Sequence, residues 1–222
     1  MTTTTPMRTA RAAALTLAAT LAATTAAQAA PITIDFESDT QGGVLFVPNG
    51  FVSADTAIAQ FSDSLGNDLL LGDFGDQSNG VGLAVLIADD SELVIDFTQP
   101  VTNLSLSFGN DDPQFIQDPE SVALLEGFRD GAQVGEATTL LNLNDALDQS
   151  VALPDVVIDQ ATFVYADRAG TPENIDEVVD DISFELAASG PAVVPVPMAL
   201  PLLASAFGLV GALRATRRRP AA

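Results

Sequence analysis

Carboxylates carry nearly all the chemistry open to this chain. Its 222 residues hold 30 Asp and Glu against eight Arg, with no Lys, no His and no Cys. Without imidazole, thiol or amine, the usual nucleophile and base pairings and the imidazole zinc sites are excluded, and no Gly-x-Ser-x-Gly elbow occurs. Two chemistries remain. One is a pair of acids flanking a glycosidic bond about 5 to 10 Å apart, as in a carbohydrate-active enzyme. The other is binding of calcium, which takes six to eight oxygen ligands at about 2.3 to 2.6 Å from several segments.

Three acidic clusters are candidates for calcium: Asp35 with Glu37 near the start of the domain, Asp180 with Asp181 near its end, and Asp111 with Asp112 in a loop. In an extended strand Asp35 and Glu37 lie two apart and share a face, opposite Ile34 and Phe36. If the first and last strands are neighbours, Asp180 or Asp181 completes that site, with Asp111 and Asp112 as second choice. Against each stands a simpler reading, a solvated charge on a very acidic surface or, at Asn110-Asp111-Asp112, a turn capped by its own side chains. A sugar site lacks its common aromatic platform, since Trp is absent and Tyr165 is the single tyrosine, expected to alternate into the core with Phe163. Such a site would rest on Asp and Asn side chains in loops.

The elements that must position these groups read as strands. Ile32, Ile34 and Phe36 alternate with polar residues, Ala57 to Phe61 repeats the pattern, and Val81 to Ala88 is the continuous apolar run of a strand buried on both faces. Leu93 to Phe97 precedes Thr98-Gln99-Pro100, and Leu104, Leu106 and Phe108 form a second alternating run that stops at Gly109-Asn110-Asp111-Asp112-Pro113. Val122 to Phe128 and Val134 to Leu143 flank Arg129-Asp130-Gly131, where Asp-Gly supplies the positive φ angles of a tight hairpin. Ser150 to Leu153, Ala161 to Tyr165 and Asp181 to Leu186 complete the set, and Leu140 to Leu147 is the one stretch with room for a helical turn. About ten short strands divided by Gly, Asn, Asp and Pro predict an all-β, antiparallel β-sandwich.

Both ends of the chain read as addresses. Arg8 and Arg11, the apolar Ala12 to Ala23 and the small-x-small Ala27-Gln28-Ala29 make residues 1–29 a signal peptide. At the other end, Gly190-Pro191-Ala192 opens a linker, Val194-Pro195-Val196-Pro197 is proline-stiffened, residues 198–213 are uncharged and apolar, and Arg214, Arg217, Arg218 and Arg219 close a basic cluster. As a helix the apolar run covers about 24 Å, a marginal transmembrane span of the roughly 30 Å core, and the arginines keep its end cytoplasmic. With six of eight arginines in these segments, residues 30–190 form one domain with 30 carboxylates against Arg129 and Arg168, a formal charge of about −28. Such a surface repels nucleic acid and anionic lipid, and the lack of cysteine leaves stability to core packing and any bound metal.

The tail resembles the PEP-CTERM class of bacterial sorting signals, in particular the variant with Val-Pro-Leu-Pro-Ala before the apolar segment; here Val194-Pro195-Val196-Pro197 is followed by Met198-Ala199. The resemblance implies an exosortase-type membrane peptidase as partner, a transient inner-membrane intermediate, cleavage near Pro195 to Ala199, and release to the cell surface or medium alongside exopolysaccharide. Between the ends, ITIDFE, PVTNLSLSFGNDD and VDDISFE are similar to jelly-roll domains of the lectin and carbohydrate-binding kind, which implies that the first and last strands are neighbours. The function expected is therefore an exported, tail-sorted envelope or matrix protein that binds or builds, with calcium-dependent carbohydrate binding as its specific form. The alternative is an exported carbohydrate-active enzyme working through an acidic pair.

Overall fold

Alternation of apolar and polar residues, broken every few positions by Gly, Pro, Asn or Asp, gives the described residues strands and little else. The structure is a computed structural model and describes residues 30–40, 43–67, 69–86, 90–116 and 118–188. The signal peptide and the tail with Val194, Pro195, Val196, Pro197, Arg217, Arg218 and Arg219 therefore lie outside the described residues, among which no helix is long and apolar enough to cross a membrane. The described chain runs β1 Ile32–Ile34, β2 Leu45–Val47, β3 Ala59–Asp63, β4 Leu69–Asp73, β5 Val81–Val85, β6 Leu93–Gly109, β7 Val122–Arg129, β8 Ala132–Leu140, β9 Gln149–Leu153, β10 Ile158–Ala166 and β11 Glu177–Leu186, with one 3-10 turn at Gly75–Gln77. Every strand pair is antiparallel.

One strand joins two layers. The first half of β6 lies between β3 and β10, giving the row β3-β6-β10-β7-β8, and its second half lies between β11 and β9, giving β2-β4-β5-β11-β6-β9. The inward positions of β6 are Leu93, Ile95 and Phe97 before the crossing and Leu104, Leu106 and Phe108 after it, so their parity changes from odd to even. Asn103 at φ 56 and the register shift opposite it between Ser183 and Glu185 absorb the extra residue. Pro100, expected from sequence to separate two strands, instead sits within one; its missing N–H falls at the hand-over between partners, where its carbonyl accepts from the Ala187 N–H at 2.9 Å.

The inner faces of both layers close on one core, in which Phe36, Phe61, Phe108, Phe163, Phe184 and Tyr165 are fully buried. Phe163 and Tyr165 meet edge to face at 5.5 Å, and the Tyr165 hydroxyl donates to the Gly109 carbonyl. Gly127 allows close approach of the layers, since a Cβ there would meet Ile158 and Leu153 at 2.8 and 2.9 Å. The expected neighbours are neighbours: Ile32, Thr33 and Ile34 pair with Phe184, Ser183 and Ile182. At the Asp130-Gly131 turn, φ values of 52 and 77 form the tight hairpin that the dipeptide predicts.

Three expectations need correction. Residues 140–147 form no helical turn; Leu143 and Asp145 have positive φ there, which breaks a helix. The strands read as far as Ala88 and Leu143 end at Val85 and Leu140. Strands β2 and β4 were missing from the pattern, because Leu69-Leu70-Leu71 and Leu45-Phe46-Val47 are uniformly apolar and too short to show a period.

Candidate functional site

The cleft is built on the outward face of the β6-β10-β7-β8 layer. Residues facing away from the core on β7 are Val122, Leu124 and Glu126, and the register places Leu140, Thr138 and Glu136 of β8 beside them. On the other side Ala166, Val164 and Thr162 of β10 pair with the same three positions. Leu124, Val164 and Ala166 form a small apolar cluster of their own, separate from the main core. The chain leaving β10 folds back over it. Asp167 ties that loop, its carboxylate accepting the N–H groups of Ala169 and Thr171 at 2.8 and 2.9 Å, which holds the group below its ordinary range.

Between this loop and the hairpin lies an open cleft of about 250 Å³, with Val122 and Leu124 as floor and Glu92, Glu126, Glu136, Thr138 and Arg168 among its walls. Glu126 and Glu136 are direct cross-strand partners. Partial burial, then repulsion by Glu92 and Glu136, pushes the Glu126 carboxyl above its ordinary value. The Gln133 side-chain amide donates to Glu126 Oε1 at 2.7 Å and to Glu136 Oε2 at 3.3 Å, a bridge that holds the pair together. Arg168, one of the two arginines of the domain, lies on the rim with Glu120 at 3.4 Å. This set can accept hydrogen bonds from hydroxyls, donate one from guanidinium, and cover an apolar ring face.

The acids singled out in sequence fall into different places. Glu37, Asp180 and Asp181 come together where β11 changes partner from β5 to β1. Asp180 is 1% exposed; its carboxylate accepts the N–H groups of Asn79 at 2.9 Å and Asp181 at 2.7 Å. Burial first, then the charges of Asp181 and Glu37, push it up to about 6. Glu37 Oε1 accepts the Val81 N–H at 2.8 Å and so ties the end of β1 to the start of β5.

Asp35 is not drawn to this junction. Strand β1 ends at Ile34 and Phe36 takes φ 59, so the alternation that would align Asp35 with Glu37 stops. Asp35 instead caps the Glu37 N–H at 3.1 Å, while Asp55 accepts the N–H groups of Asp35 and Phe36. Among the described residues no group of three or more acidic side chains has the closeness that a metal ion requires.

Asp111 is buried and its carboxylate accepts the N–H groups of Leu143 at 2.6 Å and Asp145 at 2.8 Å. It fastens the two left-handed residues of that loop. Asp112 caps its own turn through the Gln114 N–H at 2.7 Å, as the simpler reading of the triplet expected. Glu177 is a buried acid that the sequence did not single out: its Oε1 has no hydrogen-bond partner, and burial, with the charges of Asp176 and Asp63, pushes it well up.

Cleft residues Glu92, Glu126, Glu136, Thr138 and Arg168 were missed in sequence. The available sign was the Asp130-Gly131 turn, with one glutamate on each arm of the hairpin. A two-residue turn alone sets Glu126 opposite Gly135, and the register shift at Gly127/Phe128 brings Glu136 there instead.

No protein-family model matches the sequence. No curated protein matches it either. Among solved structures it is similar to a DUF4465 family protein from Bacteroides caccae, at 11% identity and a TM-score of 0.44 over 71% of this chain and all of that one. It is similar also to the CBM22-1 and GH10 modules of a Clostridium thermocellum endo-1,4-β-D-xylanase complexed with xylohexaose, at 8% identity and a TM-score of 0.35, covering 71% of this chain and 28% of that one. A third is the K2 cleaved adhesin domain of Lys-gingipain, at 16% identity and a TM-score of 0.29 over 70% and 99% of the two chains. The site rests on the strands and side chains described above.

Proposed function

We propose that this chain is an exported binding module of the cell envelope or extracellular matrix, and that a polysaccharide occupies the cleft beside the β7–β8 hairpin. The observation that carries this reading is the cleft's lining: three glutamates, Thr138 and Arg168 around an apolar floor. Sugar hydroxyls would donate to Glu92, Glu126 and Glu136, Arg168 would donate to sugar oxygens, and the floor would take a C–H face. Unlike Asp111 or Asp180, Glu126 and Glu136 hold no backbone N–H among the hydrogen bonds described above; their partners are the side chains of Gln133 and, for Glu126, Thr162, which a ligand hydroxyl can supplement.

Export is supported by the leader pattern of residues 1–29, and routing by the Val194-Pro195-Val196-Pro197 segment and its basic end. On this reading the chain passes through a membrane-held intermediate, an exosortase-type peptidase removes the tail, and the domain reaches the surface or medium. The calcium expected at the junction of first and last strands does not fit Glu37, Asp180 and Asp181 as they stand: they lack the closeness one ion requires, and Asp180 and Glu37 already accept backbone N–H groups. A glycan array that includes the producing cell's own exopolysaccharide, probed with the full chain with and without calcium, tests the reading. Retention of one glycan class supports it, and no retention of any glycan in either condition contradicts it.

The pairing of Glu126 with Glu136, one held above its ordinary value, favours one second reading, an acid pair that hydrolyses glycosides. Reducing ends released from the retained glycan, and lost in Glu126→Gln, would favour the enzyme over the binding module.

A further inference from the structure

Strand β2 stands at the end of its layer: it pairs with β4 on one side, and among the described residues no strand pairs with its other side. Its side chains are unusual for such a place. Val44 and Phe46 are each 65% exposed and Leu45 is half-exposed. Val44 leans on Gly72 of β4, where a Cβ would meet its Cγ2 at 3.3 Å, so the apolar strip is held on the sheet. An open edge with apolar side chains is a template for pairing with another strand; β2 carries no charge, and its three residues with Pro48 directly after them confine such pairing to Leu45–Val47.

Charge says which partner fits. No charged residue occurs between Asp39 and Asp55, the stretch that holds β2. We infer that two copies of this chain pair antiparallel through β2, with Phe46 facing its own symmetry mate, so that the β2-β4-β5-β11-β6-β9 layer continues across a twofold axis. An isologous contact needs one surface that complements itself, and an uncharged strip of Val, Leu and Phe does so. It also lets two strongly acidic bodies meet without burying a carboxylate. Opposed phenyl rings add a cross-strand aromatic pair. Because the bodies repel through the rest of their surface, salt strengthens this pairing.

The native chain has no cysteine, which makes a clean test available. Directly opposed antiparallel residues have Cα atoms about 4.5 to 5.5 Å apart, within disulfide reach. Oxidation of full-chain Phe46→Cys is expected to give a covalent dimer, with Phe115→Cys, equally exposed at a loop of another region, as the control that shares any association through the tail. Sedimentation of the unmodified chain should show dimer rising with salt, and Phe46→Asp should raise its dissociation constant about a hundredfold, since it sets two carboxylates against each other. Equal cross-linking of the two cysteine variants, or a monomer at every salt and concentration, would overturn the inference.

Discussion

Two acidic neighbourhoods of this molecule differ in what their carboxylates hold. Away from the cleft, Asp111 and Asp180 are buried and each accepts two backbone N–H groups, so each is a fastener. In the cleft, Glu126 and Glu136 share a glutamine amide, Glu126 also accepts from the Thr162 hydroxyl, and the pair crowd one another beside Glu92. Carboxylates that fasten backbone explain their own presence. The glutamates gathered around the apolar floor lack that task, and this supports the ligand proposed above. In a domain this acidic the sorting criterion is therefore the donor each carboxylate satisfies, since acidity alone marks every surface.

The sharpest way to break the contrast is at Asp111. Asp111→Ala leaves the N–H groups of Leu143 and Asp145 without their acceptor and costs about 4 kcal/mol of stability by chemical denaturation. A loss below about 1 kcal/mol would mean that the loop does not need its fastener. Asp180 comes next, through pH. Its folded-state value of about 6 lies above the ordinary 3.8, so between about pH 4 and 6 the folded state binds more protons than the unfolded one. The stability this contributes is fully present below about pH 4 and is lost as pH rises through 6, by about 3 kcal/mol. Asp180→Asn should flatten that part of the stability curve. An unchanged slope would place the titration on other groups, such as Glu177.

How much of this was legible in the sequence follows from the range over which each signal acts. The Asp130-Gly131 turn, the alternation of Leu104, Leu106 and Phe108, and the burial of Tyr165 are local, and the structure keeps all three. The neighbouring of β1 and β11 came with the jelly-roll likeness, and the pairing of Ile32 with Phe184 bears it out. What stayed hidden depends on register. Asn103 takes a left-handed conformation so that one strand serves two layers, and no period in the sequence reports it. The cleft suffers from the same blindness, since it needs a bulge at Gly127 and a loop that folds back after Ala166. Asp35 was misplaced because alternation was extended one residue too far, through the positive φ of Phe36.

The smallest expected effect on stability separates the neighbourhoods most cleanly. Glu126→Gln removes a crowded charge, keeps a side chain of the same size, and should change unfolding free energy by less than about 0.5 kcal/mol. A larger loss would make Glu126 a fastener as well, and the contrast would fail.

The most direct measurement of the central claim uses that same variant against whichever glycan the native chain retains. Titration by calorimetry should show Glu126→Gln and Arg168→Ala weakening binding about tenfold or more each, the loss of one hydrogen bond to a charged group. Ser105→Ala and Ser183→Ala on the opposite layer should bind as the native chain does. Native affinity in both cleft variants, or a loss confined to the serine variants, would contradict the assignment of the ligand to this cleft.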